Sequence, residues 1–240
     1  FVTMKITYAN TIGHLCQELP GANVDVVTKA LGMDTRIGSK YLKGAVGFGG
    51  PCFPRDNRAL AWLADQLHVD ADLARATDTL NTQEFKKLGD RILKKCPADA
   101  VVGILGLAYK PDTDVVEESQ GLHLAKYLAS QGVSCVGYDS IAFDNAKRNL
   151  DYWKSPFASN IRLTRVLREA VEKSNLLVVM LPNEEFLSLH ALILDSKDSN
   201  KVVMDCWRIL DGPRLATAAE YVGLGVGPTP CPTDEETVRI

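Results

Sequence analysis

Downstream of Pro97 the chain alternates short, continuous apolar runs with amphipathic stretches, and this alternation constrains the fold more than any other feature. The runs cover residues 101–105, 133–138, 176–181 and 202–206 and are rich in Val, Ile and Leu. Helical patterns separate them at 119–130 and around 164–172. A strand that is apolar throughout must be covered on both faces, and parallel neighbours need a crossover, normally a helix. The expectation is an α/β unit: a parallel sheet with helices on both faces.

Upstream of Pro97 the patterns are helical. Met4, Tyr8, Ile12, Leu15, Cys16 and Leu19 share one face of an opening helix that stops near Pro20 and Gly21. This helix is already running at residue 1, with no initiator Met and no cap, as expected of a fragment. A second helix is predicted over 24–31, with Asn23 as N-cap. A third starts at Pro54, with Ala59, Leu60, Leu63, Ala64 and Leu67 as its apolar face, and a fourth covers 71–95. The boundary is placed at 97/98, giving a helical part over 1–97 and an α/β part over 98–240. Residues 225–240 hold three prolines and a run of acids and are expected to be extended or disordered.

Charge excludes some partners. Lys and Arg number 27 against 30 Asp and Glu, a net of −3, which provides no basic footprint for nucleic acid. No apolar run approaches the roughly 20 residues of a membrane span. The six cysteines are scattered without a C-x-x-C pair, which disfavours a disulfide framework or a zinc site and points to a reducing, cytoplasmic setting. His14, His68, His123 and His190 have no ligand spacing, so no metal is expected.

One loop interrupts the helices. Residues 41–54 contain four glycines and two prolines, with Cys52 directly before the helix at Pro54. A helix N-terminus favours negative charge on a thiol, Arg55 adds a positive group, and Asp56 can orient water or accept a proton. Glycines let the backbone approach a ligand closely. The alternative is a buried cysteine under a tight loop. A second candidate is the stretch 103–114 after the first apolar run, where α/β sheets bind ligands. Asp139 closes the next strand, where a ribose-binding acid can sit. A dinucleotide reading nonetheless fails, because Gly103 and Gly106 are not followed by a third glycine and Tyr109-Lys110 occupies the turn into the helix. Lys110 suits a phosphate and Tyr109 a flat ring, or the pair sits on an ordinary solvated loop. Arg36, Lys40, Tyr41, Lys43 and Phe48 crowd the approach to the glycine loop and suit a phosphorylated, ring-containing ligand, or form a solvated basic face.

Three ordered motifs point further. Residues 47–56 (Gly-Phe-Gly-Gly-Pro-Cys-Phe-Pro-Arg-Asp) resemble the active-site cysteine motif of the UDP-glucose/GDP-mannose dehydrogenase family. Residues 106–114 (Gly-Leu-Ala-Tyr-Lys-Pro-Asp-Thr-Asp), followed by Glu118-Ser119, resemble that family's nucleotide-binding signature, and residues 34–43 are a third match at the family's spacing. The resemblance implies a helical dimerisation domain followed by a Rossmann-like nucleotide-sugar-binding domain, in an NAD-dependent enzyme that oxidises a sugar C6 alcohol to a carboxylate. It implies Cys52 as nucleophile, Asp56 as the group that orients water, and Cys52 and Arg55 beside NAD. It implies Arg36, Tyr41, Lys43, Phe48, Gly49, Tyr109 and Lys110 as substrate contacts, with Arg36 reaching a neighbouring subunit's substrate in a homodimer. UDP-glucose is the default substrate. Arg55 stands where the family usually has Lys, Pro51 where it has Ser, and Glu117 and Trp207 where it has Arg. The family's N-terminal NAD domain and a Lys-x-x-x-Asn stretch have no counterpart in the sequence. A nucleotide-sugar-binding and dimerisation module without catalysis is the rival reading, and an unrelated thiol-dependent α/β enzyme a third.

Overall fold

The computed structural model describes residues 1–97, 99–196 and 200–230. They form two compact units, residues 1–45 with 224–230, and residues 46–223.

The smaller unit carries α1 (Val2–Glu18) and α2 (Val24–Gly32). Asn23 caps α2 as expected, its Oδ1 accepting the Asp25 N–H at 2.8 Å. The apolar face of α1 is covered only in part, at Cys16. Tyr8, Leu15 and Leu19 are each more than half exposed, while Thr3, Thr7, Ala9, Asn10, Gly13, Cys16 and Gln17 are buried. The buried side is small and polar because it bonds backbone: Asn10 Oδ1 accepts the Ala45 N–H at 2.9 Å. Residues 225–228 pair with the chain entering α2, with Val24 N–H on Gly225 O and Gly21 N–H on Pro228 O, both at 2.9 Å, and Val226 bridging Asn23. The rest of the expected extended tail, residues 231–240, lies outside the described residues.

The larger unit begins with α3 (Phe53–Leu67) and α4 (Asp72–Lys95), which pack together. Of the apolar face of α3, only Ala64 is buried, and Leu60, Leu63 and Leu67 are exposed. Periodicity shows which residues share a face; it does not show which face the fold covers. A six-stranded sheet follows, made of β1 (Val101–Leu105), β2 (Ser134–Tyr138), β3 (Ile161–Thr164), β4 (Leu176–Val179), β5 (Val202–Asp205) and β6 (Glu220–Gly223). Its helices are α5 (Gln120–Ser130), α6 (Phe143–Tyr152), α7 (Leu167–Lys173), α8 (Leu189–Ser196) and the single turn α9 (Gly212–Leu215).

Every strand pair is parallel, in the order β3-β2-β1-β4-β5-β6. The expected α/β sheet is present. Val102, Ile104 and Leu105 on β1 and Leu177, Val178 and Val179 on β4 have no exposed surface, as central parallel strands require. The strand order reverses beside β1, which places a crevice beyond the carboxyl ends of β1 and β4. By compactness, residues 46–97 go with this sheet, whereas the sequence boundary at 97/98 marks the switch from helices to strands. Among the described residues no helix is long and apolar enough to cross a membrane.

Candidate active site on the Cys52 loop

Residues 46–52 enter α3 through a loop fixed from beneath by two amides. The buried Phe48 donates its N–H to Asn81 Oδ1 at 2.7 Å, and its carbonyl accepts from Asn81 Nδ2 at 2.9 Å and Gln120 Nε2 at 3.3 Å. Its ring meets Phe53 edge-on at 6.2 Å. The next two residues need to be glycine. A Cβ on Gly49 would lie 2.3 Å from the Glu118 carbonyl oxygen, and one on Gly50 (φ +85°) would lie 2.6 Å from the Tyr109 ring. Gly50 N–H also donates to Glu117 O at 2.8 Å. The cysteine loop is therefore laid against the long β1–α5 loop at two successive residues.

This mounting leaves Cys52 at the N-cap of α3 with an exposed thiol, so the alternative of a cysteine buried under the loop does not hold. Its carbonyl accepts the Asp56 N–H at 2.8 Å, and Pro54 sits in the first turn, where a missing N–H costs nothing. Arg55 and Asp56 form an exposed ion pair at 2.8 Å. The Asp56 carboxylate, and after it the Cys52 sulfur, raises the Arg55 guanidinium above its ordinary range. A thiol, a cation and a carboxylate thus stand on one helical turn.

Tyr109 and Lys110 do not turn into a helix as expected, because α5 starts only at Gln120. They stand on a long loop beyond β1, Lys110 exposed, with its Nζ 5.6 Å from the Tyr109 ring centre. Tyr109 N–H donates to Val115 O at 3.0 Å, and Ser119 caps α5 while donating to Ala108 O at 3.3 Å. Asp139 is not available to a ribose. Its buried carboxylate accepts four backbone N–H groups, from Leu107 and Ala108 on one oxygen and from Ile141 and Ala142 on the other, at 2.7–3.1 Å. Asp205 at the end of β5 does the same for Trp207, Arg208 and Leu210 and also accepts the Tyr221 hydroxyl. The sheet edge is thus held by two buried carboxylates, and it does not fit a dinucleotide: no third glycine shortens the first turn, and the acid at the end of β2 is fully engaged.

The remaining candidates lie in the smaller unit. Arg36 is 87% exposed and held in a fork by Asp34, Nε to Oδ1 at 3.0 Å and Nη2 to Oδ2 at 2.6 Å. The Asp34 carboxylate raises the Arg36 guanidinium, and the same contact lowers Asp34. Tyr41 is half exposed in a left-handed backbone (φ +62°), and Lys43 pairs with Asp25 at 2.7 Å. Lys40 is exposed. Among the described residues no group of three His, Cys, Asp or Glu side chains could hold a metal ion.

Residues 1–83 match the central domain of the UDP-glucose/GDP-mannose dehydrogenase family, and residues 103–212 match that family's UDP binding domain. The chain belongs to this family. A UDP-glucose 6-dehydrogenase of Rhizobium meliloti is 31% identical over 232 residues, covering 94% of this chain and 50% of that protein. A UDP-glucose 6-dehydrogenase of Bacillus subtilis is 32% identical over 230 residues, with the same two coverages. In structure, the chain is similar to a UDP-glucose dehydrogenase from Pyrobaculum islandicum, with a TM-score of 0.78 and 26% identity over 94% of this chain and 49% of that one. The chain spans about half the length of these relatives.

Two departures of this family member now have a structural setting. Trp207 sends its indole N–H to the Met180 carbonyl at 2.8 Å, and Arg208 beside it is left-handed (φ +54°), its Nη1 on Cys206 O at 2.9 Å. Glu117 is exposed, and its backbone carbonyl holds Gly50. Spacing did not single out Asn81, Gln120, Arg58 or His123. Asn81 carried a weak signal, an asparagine in the middle of a long helix, where it is a poor helix former unless it bonds elsewhere.

Proposed function

We propose that this chain is the nucleotide-sugar-binding and thiol-bearing part of an NAD-dependent nucleotide-sugar 6-dehydrogenase, with UDP-glucose as substrate. The observation that supports it most is the exposed Cys52 thiol at the start of α3, in a loop laid directly on the loop of Tyr109 and Lys110. In this reading Lys110 neutralises the diphosphate and Tyr109 lies against a ring. Phe48 and Gly49 shape the loop beneath, and Tyr41, Lys43 and Arg36 supply further contacts, Arg36 to the partner in a homodimer. The setting is cytoplasmic.

The chemistry explains the need for a cysteine. Loss of a hydride and a proton from the C6 alcohol gives an aldehyde. The Cys52 sulfur adds to it, the carbonyl oxygen taking the proton, and a thiohemiacetal forms. Loss of a second hydride and proton leaves a thioester, and water, oriented by Asp56, releases the carboxylate and restores the thiol. NAD supplies the hydride acceptor; of the described residues, Cys52 and Arg55 would border it.

Calorimetric titration with UDP-glucose, a UDP-N-acetylhexosamine, GDP-mannose and NAD tests the binding half of this reading. UDP-glucose is expected to bind with one site per chain, and Lys110→Ala to weaken it about tenfold, the loss of one charge-assisted contact. Absence of any UDP-sugar binding would overturn the reading.

A further inference from the structure

Glu118 is held at φ +52°, a left-handed backbone that a non-glycine residue keeps only where its surroundings over-determine it. Three sets of contacts do so. Its carbonyl oxygen is packed on Gly49, the carbonyl of Glu117 before it accepts the Gly50 N–H, and Ser119 after it caps α5. Its carboxylate reaches the two flanking helices. One oxygen accepts from Arg58 Nη2 of α3 at 3.0 Å, and the other lies 3.2 Å from His123 Nε2 in the first turn of α5. The His123 ring is itself stacked on Phe85 of α4, with centres 5.2 Å apart. Burial acts to raise the Glu118 carboxyl, but the hydrogen bond from Arg58 and the charges of His123 and Arg58 outweigh it, so the group stays ionised below the usual range. Burial lowers His123.

Cys52 begins α3 and Arg58 lies in its second turn, while Tyr109 and Lys110 stand on the loop that ends in Glu118. We propose that Glu118 is a positioning residue for Cys52: it fastens the helix bearing the thiol to the loop bearing Tyr109 and Lys110, so that a nucleoside diphosphate seated on that loop changes the setting of a thiol it does not contact. The inference rests on the reading that this loop binds a nucleotide-sugar.

The test is the rate at which iodoacetamide alkylates Cys52, followed by mass spectrometry of the Cys52 peptide, with and without saturating UDP. UDP lacks the sugar that would cover the thiol directly. In the wild-type protein UDP is expected to change the rate about fivefold or more, the scale of an ordinary coupling between sites. Glu118→Gln should bind UDP within about twofold of wild type by calorimetry and lose the rate change. Arg58→Met should lose it as well, and Arg58→Lys, which keeps the ion pair, should retain it. The Arg58 variants sit on the exposed side of the link and carry the test if Glu118→Gln does not fold. UDP binding without a rate change in the wild type, or a wild-type response in Glu118→Gln and Arg58→Met, overturns the positioning role alone. A wild-type protein that does not bind UDP overturns the functional reading and this inference with it.

Discussion

Replacing Cys52 with serine is expected to lower sugar-carboxylate formation by the intact dehydrogenase by at least about a thousandfold, the usual scale for loss of a covalent nucleophile. The substitution is nearly isosteric, and the Cys52 backbone keeps its place through the Asp56 N–H and the first turn of α3. UDP-sugar affinity should therefore stay within about twofold, since a group acting in the chemical step alone leaves uniform binding intact. In the proposed scheme the first oxidation does not need the sulfur, so the variant should release aldehyde, which a carbonyl trap such as semicarbazide would collect. Carboxylate formation within tenfold of wild type would contradict the assignment.

Asp139→Ala is expected to destabilise the larger unit by about 4 kcal/mol, as read from the midpoint of urea unfolding. The carboxylate is 4% exposed and accepts four N–H groups from two loops, one leaving β1 and one entering α6. Alanine would leave those donors buried without a protein partner. Asp139→Asn keeps one acceptor oxygen and should fall between alanine and wild type. Because Leu107 and Ala108 lead directly into Tyr109 and Lys110, the alanine variant should also lose UDP-sugar affinity. A loss of stability below about 1 kcal/mol would show that these bonds are replaceable.

The sheet was legible where its strands are apolar throughout. β1, β4 and β5 are central and covered on both faces, so their runs stand out. β3 and β6 are the two edges, and Ile-Arg-Leu-Thr and Glu-Tyr-Val-Gly mix exposed and buried positions over four residues, too short a window for a period to show. The cysteine loop was legible because four glycines in a row of fourteen residues have few other uses, and two of them meet the Tyr109 loop at distances only glycine allows. What fixes the loop was not legible. Asn81 lies 33 residues from Phe48, Gln120 lies 72 away, and Arg58 lies 60 from Glu118, so local spacing carries no trace of these bonds. The apolar stripes of α1 and α3 were legible, but how much of each the fold covers was not. These stripes are only partly covered by the described residues: on α1 Leu15 stands exposed while Cys16 of the same stripe is buried, and on α3 Leu60 stands exposed while Ala64 of the same stripe is buried.

The central claim is that Cys52 carries the sugar as a thioester that Asp56 helps water to break. Asp56→Asn should slow that last step and let the intermediate accumulate. The intact dehydrogenase carrying this substitution would be supplied with UDP-glucose and NAD, quenched in acid and digested. The account predicts that the peptide containing Cys52 gains the mass of the nucleotide-sugar acyl group and loses it on treatment with hydroxylamine. An unmodified Cys52 peptide during continuing carboxylate production, or the adduct on another residue, would contradict it.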